Sequence, residues 1–119
     1  MLSRYRRWVL ALGVLASTAL FLVPVSNPVP TVEGLETDKL AHLLVVGGLG
    51  VLVWWNLPAG RWRTLTAILV ASVYAGVIEL VQGVLAFRSG DAIDFVAGVV
   101  GAALCVTVIE FGWRRQSDP

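Results

Sequence analysis

The chain has one cysteine, one histidine and one methionine, and only 14% of its 119 residues are charged. A single thiol, Cys105, excludes a disulfide framework and a multi-cysteine metal site. Scarce charge excludes more. A soluble domain of this size has a large surface to cover, and about 25% charged residues is usual. The formal net charge of +1, from 9 basic and 8 acidic residues, leaves no excess for binding a polyanion, so no nucleic-acid partner is expected. No Gly-rich phosphate loop, nucleophile elbow or His-Glu zinc motif is present. What the chain has in quantity is apolar: 57% of its residues are hydrophobic before its 12 glycines are counted. An integral membrane protein is the class that remains.

Hydrocarbon gives the backbone no hydrogen-bond partner, so a spanning helix needs about 20 mostly apolar residues. Four segments qualify: about 8–25, 40–57, 64–87 and 92–113. The expected fold is therefore an all-α membrane domain, a bundle of four transmembrane helices occupying residues 1–119. Pro24, Pro28 and Pro30 end the first span, because proline cannot continue a hydrogen-bonded helix. The first segment reads as a span and not a cleaved leader, since its apolar run is long and no A-x-A-like site follows. Residues 27–37 read as a polar link, with Thr37 or Asp38 able to cap the second helix. Leu57-Pro58-Ala59-Gly60 and Arg88-Ser89-Gly90-Asp91 read as turns.

Four spans put the N-terminus, the middle loop and the C-terminus on one side. That side carries Arg4, Arg6, Arg7, Arg61, Arg63, Arg114 and Arg115; the other carries only Lys39 and Arg88. The positive-inside rule predicts both termini in the cytoplasm. Trp8, Trp54, Trp55, Trp62 and Trp113 all fall near that boundary, as an interfacial belt does.

The polar residues placed at depth cluster at the opposite, outer end. Asp38, Lys39 and His42 open the second helix, Glu79 and Gln82 lie late in the third, and Arg88, Asp91 and Asp94 surround the start of the fourth. Glu79 is nine positions inward of Arg88, roughly 13 Å at helical rise. An ionisable group at that depth is expensive and is a functional candidate by default; the bland alternative is a strut bonded to Gln82, His42 or a backbone group. Ser72, Gly76, Glu79 and Gly83 form one stripe, and Asp94, Gly98, Gly101 and Cys105 another. Small residues let membrane helices approach closely, so these stripes are expected to face each other. The catalytic candidates are Glu79, His42 and Asp94. The ligand-binding candidates are Asp38, Lys39, Gln82, Arg88 and Asp91, with Lys39 and Arg88 holding an anionic headgroup. A metal is not expected: the ligand types suit one, but two cations stand nearby and no tight ligand spacing occurs. No cofactor is expected. Cys105 and the glycines read as packing. At the inner end Glu110 reads as a helical pair with Arg114.

These residues carry a resemblance. Asp38-Lys39-Leu40-Ala41-His42 before an apolar helix resembles the D-K-x-x-H opening of the VanZ-like family. Gly76-Val77-Ile78-Glu79-Leu80-Val81-Gln82, followed by Arg88, Asp91, Asp94 and Gly101, resembles that family's later block. The resemblance covers roughly residues 38–104. It departs where Gly98 replaces a common asparagine, and where Val45 and Val46 replace a common aromatic. The family's namesake is associated with low-level resistance to teicoplanin. The resemblance implies a multi-pass bacterial inner-membrane protein working near the outer leaflet, on an envelope lipid, a lipid-linked precursor or a lipidated antibiotic. Other readings are a membrane adaptor whose polar cluster only locks helices, and a proton-coupled transporter, which would need a dimer to build a path. Membrane lipids are the partners common to all three.

Overall fold

A computed structural model describes residues 2–22, 31–32, 35–85 and 92–117. Four helices dominate: α1 (Leu2–Leu22), α2 (Thr37–Asn56), α3 (Arg63–Val84) and α4 (Ala92–Ser117). All four are long and apolar enough to cross a membrane. Their 20 to 26 residues correspond to roughly 30–39 Å at 1.5 Å per residue. Hydrocarbon is roughly 30 Å thick, so the lengths match. Within the expected polar link lies a small antiparallel pair, β1 (Thr31–Val32) with β2 (Leu35–Glu36), leading directly into α2. Between α2 and α3, Arg63 N–H donates to Gly60 O at 3.3 Å, which closes a turn over Gly60–Arg63. Leu85, extended at φ −76° and ψ 133°, ends α3.

The helices bury small residues and expose large ones. On α3 the buried face is Ala67, Ala71, Ala75, Ile78 and Gln82, while Leu65, Leu69, Val73, Val77 and Leu80 point outward. A water-soluble protein rarely exposes so continuous an apolar surface. In lipid it costs nothing, and association rests on close packing of small residues.

The closest packing is between α2 and α4, which run parallel. Gly47 and Gly50 of α2 meet Gly101, Ala102, Cys105 and Val106 of α4. A Cβ on Gly101 would lie 2.0 Å from the Leu43 carbonyl oxygen, and one on Gly47 would lie 2.9 Å from the Gly101 oxygen. The two backbones therefore touch, and any side chain at the seam would part them. This corrects the expectation that the α4 stripe faces the Ser72–Gly83 stripe of α3. The α4 glycines lie chiefly against α2, and α3 turns its alanines to the core, Ala75 beside Gly98. Gly76 is offset toward the Phe95 ring. The two stripes meet only at their carboxylate ends.

Helix α1 lies outside this trio. Gly13 packs on Leu49 and Leu52 of α2. Ser17 Oγ–H donates to the Gly13 carbonyl at 2.8 Å, and Ser17 and Thr18 hydroxyls lie 2.9 and 3.0 Å from the Tyr74 hydroxyl of α3. Each hydroxyl thus finds a protein partner, as a low-dielectric setting demands.

The described arginines and the tryptophans gather at one end. Arg63 lies over the buried Trp54 ring at 3.7 Å and donates to the Trp54 carbonyl at 2.8 Å. Arg6 lies over Trp55, and Asn56 donates back to the Arg6 carbonyl at 3.1 Å. Glu110 accepts from Arg114 at 2.8 Å, as its helical spacing predicts. It also accepts from Trp54 Nε1–H, which the spacing did not reveal.

Candidate functional site

The opposite end of the bundle collects the deep polar residues. His42 lies early in α2, Glu79 late in α3 and Asp94 in the first turn of α4. The alternating helix directions place all three at one depth. A nitrogen of His42 and a carboxylate oxygen from each acid lie within 4.8 Å of one another. His42 Nε2 is 3.0 Å from Glu79 Oε1, and Lys39 Nζ is 3.8 Å from Asp94 Oδ1. The His42, Glu79, Asp94 and Lys39 side chains are 1%, 10%, 7% and 22% exposed. Lys39 is thus the member nearest the outside, and the other three form a buried set.

Each position has a local cause. Asp94 in the first turn of α4 is favoured by the unsatisfied N–H groups there. Lys39 follows Asp38 in the first turns of α2, and its long stem can lie along apolar surface while the ammonium reaches outward. His42, one turn on, faces inward beside Val46. Glu79 borders the alanine face of α3, within reach of α2.

Helix α1 completes the site with two contacts that sequence reasoning missed. The Phe21 ring stacks on His42, centroids 4.4 Å apart and planes 27° apart. The Phe21 carbonyl accepts a 2.7 Å hydrogen bond from Gln82 Nε2. Phe21 sits in a run of leucine and valine and carries no polar cue of its own. Gln82, expected to bind ligand, is buried and uses its amide N–H to tie α3 to the end of α1.

Of the other expected ligand residues, Asp38 belongs to the first turn of α2. Arg88 and Asp91 lie outside the described residues. Glu79 has the strut partner anticipated for it, His42, and the same contact is what an acid–base pair requires. With neutral imidazole, Lys39, Glu79 and Asp94 sum to one negative charge. A proton on His42 makes the set neutral.

No family model matches the chain, and no solved structure matches it. An uncharacterized protein of Schizosaccharomyces pombe is 31% identical over 83 residues, covering 68% of this chain and 51% of that protein. The chain spans about half the length of this fungal relative.

Proposed function

We propose that the chain is a four-span membrane protein with both termini cytoplasmic. In this reading its buried polar site binds the anionic headgroup of a membrane amphiphile and presents it to the His42–Glu79 pair. One observation carries the reading: Lys39, His42, Glu79 and Asp94, drawn from three helices, converge at one end of the bundle. They are also four of the residues on which the VanZ-like resemblance rests, and their proximity supports the reading. Lys39 holds and orients the anion, Glu79 and His42 exchange a proton with it, and Asp94 positions Lys39. Envelope lipids, lipid-linked precursors and lipidated antibiotics all carry suitable headgroups. A fungal relative favours an amphiphile that fungal and bacterial membranes share.

Orientation follows from the arginine-rich end, which the positive-inside rule assigns to the cytoplasm. A phosphatase reporter fused after Pro119 is expected to be inactive, and one inserted between residues 88 and 91 active. The reverse pattern would invert the site to the inner leaflet.

The functional test is mass spectrometry of membrane lipids and precursors from cells making equal amounts of wild type or Glu79→Gln. A species gained or lost only with wild type is expected. A second reading, a membrane adaptor whose cluster locks helices, is favoured by the Gln82 bond to Phe21, which is a strut. Identical lipid profiles, with both proteins present in the membrane, would select the adaptor.

A further inference from the structure

We propose that His42, Glu79 and Asp94 form a binding site for a single divalent transition-metal ion, of the zinc or manganese type. This rests on the headgroup reading above and deepens it, because it names the class of headgroup. The donor set is one imidazole nitrogen and two carboxylate oxygens, the mixture that borderline divalent ions take. Cys105, the chain's one thiol, belongs to the α2–α4 seam against Gly47 and not to this set.

The geometry is near what coordination needs. Donors around a four-coordinate ion at roughly 2.0–2.2 Å stand about 3.3–3.6 Å apart. His42 Nε2 and Glu79 Oε1 are at 3.0 Å, and the whole set is within 4.8 Å. Closing the remainder takes about 1 Å, which rotation of a carboxylate supplies without moving a helix.

The surroundings behave as an outer shell does. Phe21 stacks on the imidazole and fixes its plane, and Lys39 approaches one oxygen of Asp94. Such partners orient ligands and hold carboxylates in place. The three donors stand on three helices, and the backbone contact between Gly101 and Leu43 fixes α2 against α4 near the site.

Charge balance points the same way. Two buried carboxylates with one lysine leave a negative charge at a depth where net charge is costly. Without metal, one proton added to the His42–Glu79 contact would offset it. A divalent ion in place of that proton neutralises the two carboxylates, so the net charge left on the site is the positive charge of Lys39. A site of that kind takes a phosphate ester, whose oxygens meet both the ion and the ammonium. Three protein ligands also leave a position open for water or a phosphate oxygen.

The test uses the full chain purified in detergent, stripped with a chelator, loaded with Zn2+ and passed through gel filtration. Metal is then counted per chain. About one ion is expected to remain on wild type and on Glu110→Gln, whose carboxylate lies at the other end. His42→Gln and Asp94→Asn are expected to weaken binding at least tenfold. Wild type retaining no more metal than the His42→Gln/Glu79→Gln/Asp94→Asn variant would overturn the site. X-ray absorption on loaded wild type needs no variant to fold: a nitrogen and oxygen shell with one imidazole is expected, and a sulfur ligand would overturn the assignment. Loading without any lipid change would sink the amphiphile reading alone, while a lipid change in metal-free protein would sink the ion alone.

Discussion

Alanine at Gly101 is expected to destabilise the bundle by about 3 kcal/mol or more, the upper range for overpacking a tight site. The added methyl would lie 2.0 Å from the Leu43 oxygen and 2.7 Å from its carbonyl carbon. Those are backbone atoms of a helix, so no rotamer change relieves the clash and α2 must separate from α4. Gly48 is the matched control, because a methyl added there would meet nothing within 4 Å. There alanine removes backbone freedom from the unfolded chain and is expected to be neutral or to stabilise by up to about 1 kcal/mol. Unfolding midpoints in mixed micelles separate the two. Equal midpoints for Gly101→Ala and Gly48→Ala would show that the α2–α4 seam is not a backbone contact.

The second large effect is expected at the His42–Glu79 contact. Removing one member of a buried charged pair leaves the other desolvated and typically costs about 3–5 kcal/mol. His42→Ala and Glu79→Ala should each fall near the lower end, because Lys39 and Asp94 remain close by. The double variant should cost less than the sum of the singles by about 1 kcal/mol or more, since contacting residues couple. The cycle is run with a chelator present, so that only the protein contact is read. Additivity within about 0.5 kcal/mol would show that the two groups do not interact in the folded protein.

Much of the architecture was legible because helices long and apolar enough to cross a membrane leave strong marks in a sequence. Long uncharged runs mark the helices, and prolines and glycines mark their ends. Depth alone singled out Glu79. Its convergence with His42 and Asp94 follows from alternating helix direction, which needs only the number of spans. Facing was less legible. Helix α3 carries two stripes of small residues, Ala67-Ala71-Ala75 and Ser72-Gly76-Glu79-Gly83, and composition does not say which turns inward. The alanines do, because α4 places Gly98 between Ala75 of α3 and Val46 of α2, and turns Gly101 to α2. The site's dependence on α1 was not legible at all, since Phe21 acts through its ring face and its backbone carbonyl. Nor was a tight donor cluster, because local spacing is silent about ligands that come from three helices.

The contrast between a seam without side chains and an outer surface of large ones sets how this chain can drift in sequence. Outward positions such as Leu69, Val73 and Leu80 meet nothing specific and can exchange among apolar residues almost freely. At Gly47 and Gly101 no exchange exists that leaves the two helices in contact. Lineages descended from one ancestor would then diverge over most of their length while keeping a few glycines and the polar residues they hold in register. Overall identity would fall quickly, and it would be a poor measure of how much of the architecture two such proteins still share.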